Sequence, residues 1–149
     1  MAHAEMNALA SVLPDTDLAR CSMWSTHAPC AMCAAAIDFV GLASVRYLAD
    51  DPSDEDPVAS RPATAGDDSL WMVVANTLFL HNVGWVGGRD NPIIGRYASV
   101  EPEIARLALR VLDDGTFIRV SSEGGDLPEA LTAVWAGIVE ASRRRLEQG

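Results

Sequence analysis

The chain contains no lysine. All eleven of its basic residues are arginine, set against twenty-one acidic residues, and the net charge over 149 residues is −10. The missing lysine carries no mechanism of its own, but the acidity does. A protein that grips a long nucleic acid neutralises phosphates with a basic surface. The basic cluster here is Arg143, Arg144 and Arg145. It lies near the end of a predicted helix, where cations complement the helix dipole, and RNA contact is the second reading of it. A long apolar run is also missing. The longest, Leu70 to Leu80, is broken by Asn76 and Thr77 and is too short to span a bilayer. No basic, apolar and small-residue series opens the chain as an export signal would, so a cytoplasmic protein is expected. No internal repeat is visible. The stretch GWVGGRDNPIIG is glycine-rich but lacks the G-x-G-x-x-G spacing of a phosphate cradle, and reads as a loop.

With 49% hydrophobic and 21% charged residues, the composition is that of one ordinary globular domain, 1–149, large enough to bury a core. Met6, Leu9, Ala10 and Leu13 share one face of a predicted helix from Glu5 to Leu13, with Pro14 as its stop. Leu18 to Thr26 reads as a strand with Met23 and Trp24 on opposite faces. A second helix is predicted from Cys30 to Val40, ended near Gly41, and a second strand from Ala43 to Ala49. This is a β-α-β unit preceded by a helix. The acidic, proline-containing stretch from 50 to 66 reads as a loop, with a lid role left open. The remainder, 67–149, reads as mainly helical. It holds an apolar helix around Leu70 to His81, and an amphipathic one carrying Ile104, Leu107, Ala108, Val111 and Leu112. A third strand is predicted at Thr116 to Val120. A last helix follows a capping box of Asp126 and Glu129 and buries Leu131, Val134, Trp135, Ile138 and Val139.

Three cysteines are an odd count, and Cys30 and Cys33 form a C-x-x-C pair. Such a pair suits a redox couple or a metal clip. The metal reading gains from the start of the chain, His3-Ala4-Glu5. H-x-E followed by P-C-x-x-C is the signature of zinc-dependent nucleobase deaminases. The two cysteines stand one helical turn apart at a helix N-terminus, where the dipole and free N–H groups favour thiolates. His3, at the start of another helix, supplies a third ligand. One imidazole and two thiolates leave the fourth tetrahedral position open, the mark of a catalytic rather than a structural zinc. Two thiolates also cancel the charge of zinc and weaken its pull on water, so a nearby base is useful. Glu5 is placed for that work.

HAEMNAL and PCAMCAAAI resemble the two zinc motifs of the cytidine/deoxycytidylate deaminase superfamily. They are most similar to the branch with histidine as first ligand, which includes tRNA adenosine, guanine and deoxycytidylate deaminases. The similarity covers about residues 2 to 51. It implies a three-layer α/β/α sandwich, bound Zn2+, His3, Cys30 and Cys33 as ligands, Glu5 as proton shuttle, and a homodimer or homotetramer. Family members usually carry a helix and two strands ahead of the H-x-E helix. Here Met1 and Ala2 precede His3, so an N-terminally short version of the sandwich is expected. Where the branch commonly has glutamate before P-C, this chain has Ala28, preceded by His27. His27 reads as a loop histidine or as a group near the metal. Asp50, leaving the strand after the P-C-x-x-C helix, is a candidate substrate contact by resemblance. His81 reads as a core histidine, and Cys21 as a small buried hydrophobe.

The expected activity is hydrolytic deamination of a purine or pyrimidine base, nucleoside or nucleotide, releasing ammonia. Acidic charge favours a small substrate over nucleic acid, and no membrane partner is expected. The rival readings are a tRNA adenosine deaminase and a non-catalytic or truncated zinc-bearing domain.

Overall fold

A computed structural model describes residues 3–53, 63–65 and 69–148. The chain is mixed helix and strand, and it divides into two compact units, Met1–Asp68 and Ser69–Gly149.

The first unit begins with α1 (Ala4–Ala10). This helix ends before the predicted Leu13. Ser11 closes it by satisfying the last carbonyls, its hydroxyl bonding the Asn7 carbonyl at 2.8 Å. Leu13 is 74% exposed, so no burial draws the helix on towards Pro14. The predicted first strand also starts late. The Asp17 carboxylate accepts from the Ala19 N–H and folds Leu18–Arg20 into a 3-10 turn. Strand β1 (Ser22–His27) follows, with Met23, Ser25 and His27 half-buried and Ser22, Trp24 and Thr26 exposed. Next come α2 (Ala31–Val40), stopped by Gly41 in the left-handed conformation (φ 71°), and β2 (Ser44–Ala49). A β-branched or long side chain at Gly41 would meet backbone strain that glycine avoids.

β1 pairs with β2 in parallel, Met23 opposite Val45, Ser25 opposite Tyr47 and His27 opposite Ala49. Within the stretch read as an acidic loop, β3 (Ala63–Ala65) adds a third parallel strand beside β2. The acidic residues Asp54 to Asp56 lie outside the described residues. Paired residues in a parallel ladder point to the same face. Met23 and Val45 pack with Ile37 of α2 and Leu9 of α1, so both helices cover the same side of the sheet. On the other side Trp24 is 65% exposed and carries the Arg46 guanidinium 5.5 Å from its ring centre. Sheet and covering helices thus make two of the three expected layers in this unit.

The second unit is helical: α3 (Ser69–Gly87), α4 (Pro92–Val100), α5 (Pro102–Asp114), α6 (Thr116–Glu123) and α7 (Leu127–Gln148). Helix α3 outruns its predicted end and absorbs the first glycines of the supposed loop. Gly84 sits where α3 and α5 touch, and a Cβ there would come 2.8 Å from Leu112. Asn91 then caps α4, accepting from the Ile93 N–H, with Pro92 in its first turn. Helix α5 buries Ile104, Leu107, Ala108 and Val111, as its spacing predicts. The predicted third strand at Thr116 to Val120 is helix α6. Gly115 reverses the chain in the left-handed conformation (φ 64°). Phe117 and Val120, three apart, then pack on the core from one helical face. In α7, Ile138 is buried, whereas Trp135 and Val139 are more exposed than the spacing suggests. Trp135 meets Trp71 edge-on at 6.1 Å. No helix among the described residues is long and apolar enough to cross a membrane.

The three arginines near the end of α7 are paired. Arg143 bridges Glu140 and Glu147, Arg144 bonds Glu140, and Arg145 bonds Glu101. Arg143, then Arg144, hold the Glu140 carboxyl down to about 2. This cluster is spent on carboxylates, which leaves little of it to neutralise phosphates.

Candidate metal centre

His3 is the residue just ahead of α1, and Cys30 the residue just ahead of α2. Both are in extended backbone, and neither side chain caps its own helix. An imidazole and a thiol at these positions project from the helix ends instead of being absorbed by them. Cys33 lies in the first turn of α2 and is fully buried. The His3 Nδ1 stands 3.4 Å from the Cys30 Sγ and 3.5 Å from the Cys33 Sγ. All three donor atoms lie within 4.8 Å of one another.

These spacings can be tested against a metal. Zinc–sulfur bonds of about 2.3 Å and zinc–nitrogen bonds of about 2.05 Å at the tetrahedral angle place N and S about 3.6 Å apart. The two observed separations are within about 0.2 Å of that edge. The donor set, one imidazole and two thiols, is one that zinc prefers. Two helix starts thus bring together three donors that would occupy three corners of a tetrahedral site.

Without a metal, burial in the first place, then Cys30 and the Glu5 carboxylate, push the Cys33 thiol up to about 12. A buried thiolate beside a carboxylate is costly, and a divalent cation at the same place removes that cost.

Glu5 is in the first turn of α1 and half-buried. Its Oε2 accepts a long contact from the Cys33 thiol at 3.6 Å, and its Oε1 accepts a short hydrogen bond from the Ser25 hydroxyl at 2.7 Å. Glu5 is not part of the mutual cluster of donors. Ser25 was not singled out from the sequence. Only in the fold does β1 alternate in burial with period two, which puts Ser25 on the same face as Met23 and hence under α1.

The two weaker candidates fall elsewhere. His27, half-buried at the end of β1, is not in the donor cluster. Asp50 is exposed and hydrogen-bonds Tyr47; burial, then that carboxylate, raises the Tyr47 phenol. His81 is buried against Phe117 and Trp85 in the helical unit, and burial lowers its pKa. Cys21 is half-buried beside the small core of the first unit.

This geometry carries a family resemblance over part of the chain. Residues 1–49 match the family model of the cytidine and deoxycytidylate deaminase zinc-binding region. That segment holds the three clustered donors and Glu5, so the chain carries a deaminase-type zinc-binding region with zinc as its metal. The match ends at the last residue of β2, and the helical unit lies outside it. No curated protein and no solved structure matches the chain.

Proposed function

We propose that the chain is a zinc-dependent hydrolytic deaminase. In this reading it replaces an exocyclic amino group on a purine or pyrimidine base, nucleoside or nucleotide with oxygen. One observation carries the proposal: a carboxylate stands beside a three-donor metal cluster without being one of its donors. A zinc kept only for folding needs no such neighbour. Zinc held by His3, Cys30 and Cys33 would supply Lewis-acid activation of a water.

Glu5 takes a proton from the attacking water and passes it to a ring nitrogen, while oxygen bonds to the amino-bearing carbon. The carboxylate so regenerated takes the second water proton from the new hydroxyl and delivers it to the departing amine. The carbon–nitrogen bond breaks, ammonia leaves, and the carbon ends as a carbonyl. Water and substrate account for every atom of the products. His3, Cys30 and Cys33 hold the metal. Asp50 and His27 are secondary candidates for substrate contact. A small substrate is favoured over RNA by the charge of −10 and by the glutamate-paired arginines of α7. Thiol ligands need a reducing compartment, which points to the cytoplasm. Homo-oligomeric assembly belongs to the same reading.

The test combines zinc content with ammonia release over a panel of bases, nucleosides and nucleotides. Wild type is expected to hold one zinc and to deaminate at least one compound. Glu5→Gln should keep the metal and lose about a hundredfold or more in kcat, the scale of general acid–base catalysis. Zinc without ammonia release from any compound would leave the chain a non-catalytic zinc-bearing domain.

A further inference from the structure

We infer that Ser25 is a positioning residue that keeps the Glu5 carboxylate out of the metal's coordination sphere, and so keeps the fourth position open. The inference rests on the zinc reading of the cluster. Carboxylate oxygen is itself a good zinc ligand, at about 2.0–2.2 Å. With such a bond and a zinc–sulfur bond of about 2.3 Å, a tetrahedron puts O and S about 3.6 Å apart. The Glu5 Oε2 stands 3.6 Å from the Cys33 Sγ. On the Cys33 side, then, the carboxylate is already at a ligand's distance. It nevertheless stays outside the cluster formed with His3 and Cys30. A modest turn of its side chain would close the site into a four-protein-ligand, structural zinc.

What opposes that turn is the hydrogen bond from Ser25 to Oε1, 2.7 Å long and made to a charged acceptor. Ser25 is well anchored for this. It sits within β1, paired opposite Tyr47 of β2, so its hydroxyl is carried by the sheet and not by a loop. One oxygen is tethered to the sheet while the other lies against the Cys33 sulfur.

The experiment uses the full chain as wild type, Ser25→Ala, Ser25→Thr, Glu5→Gln and the Ser25→Ala/Glu5→Gln double variant. Zinc affinity is read by chelator competition and the ligand set by the visible spectrum of the Co(II)-substituted protein. In Ser25→Ala, zinc should bind about tenfold tighter, the order set by one charge-assisted hydrogen bond no longer opposing closure. The Co(II) spectrum should change with it. Both effects should vanish in the Glu5→Gln background, and Ser25→Thr should restore the wild-type values. In turnover, Ser25→Ala should lose about tenfold or more in kcat with KM little changed. Unchanged affinity and spectrum in Ser25→Ala would overturn the inference. So would weaker metal binding or lost folding in both backgrounds, which marks a merely structural serine. If the metal readouts behave as stated but wild type releases no ammonia, the deaminase reading fails and the role of Ser25 stands.

Discussion

At the scale of single residues, protonation separates the empty and filled forms of the site. The Cys33 thiol, pushed up to about 12, keeps its proton at neutral pH when no metal is present. Zinc must displace it. Zinc uptake by the metal-free protein near pH 7 should therefore release protons, and apparent affinity should rise with pH. Calorimetry in buffers of different ionisation enthalpy measures the number released; an uptake independent of buffer would contradict the buried, protonated thiol. His81 makes the opposite case. Burial against Phe117 and Trp85 lowers its pKa, so the fold holds it neutral. Its contribution is present above about pH 6.5, the unfolded value, and is lost as pH falls towards the lowered folded value. Melting temperature should fall between pH 7 and pH 5.5, and His81→Phe should flatten that slope. The cluster of His3, Cys30 and Cys33 was legible because metal chemistry restricts residue type and spacing. Ser25 was not, because a strand serine is common, and only the fold brings it under Glu5.

Among the elements, those with strong local signals were read nearly as they form. Helix α5 was legible because Ile104, Leu107, Ala108 and Val111 recur at helical spacing and all reach the core. Helix α2 was legible from both ends, through Pro29 and Gly41. Gly41 allows a direct check. Its left-handed backbone has open space around the missing Cβ, so Gly41→Ala tests conformation alone. It should cost about 1 kcal/mol in urea denaturation, with no change in metal content. A neutral substitution would mean that the helix ends by other means. Helix α6 was misread because Phe117, Ile118 and Val120 are strand-prone residues in a short run. Packing against a helical core overrode that preference. The glycine-rich stretch was misread for a related reason. Gly84 is small to let α3 approach Leu112, and it breaks nothing. Strand β3 is three residues long, too short for any periodicity to show.

Over the whole molecule the two units differ in what can hold them together. Among the described residues, the helical unit buries thirteen core residues, from Val73 to Ala141. Among its described residues the zinc-bearing unit has a core cluster of Ile37, Leu42 and Val45, with the small side chains of Cys33, Ala34 and Ala49 also buried. So small a core is marginal alone, and metal binding becomes folding free energy. Chelation should therefore erase hydrogen-exchange protection in β1, α2 and β2 before it affects α3 and α5. Equal loss across both units would show a single cooperative fold. Length and composition report the size of a core and not how it is divided between compact units. The position of His3 then has a consequence in chain statistics. A metal shared by His3 and Cys30 joins residues 27 apart and ties α1 and β1 into a closed ring. Such a ring removes conformations from the unfolded chain as a disulfide would, worth about 3.5 kcal/mol for its length. The ion that would activate water thereby also acts as a reversible crosslink, opened by a chelator and not by a reductant.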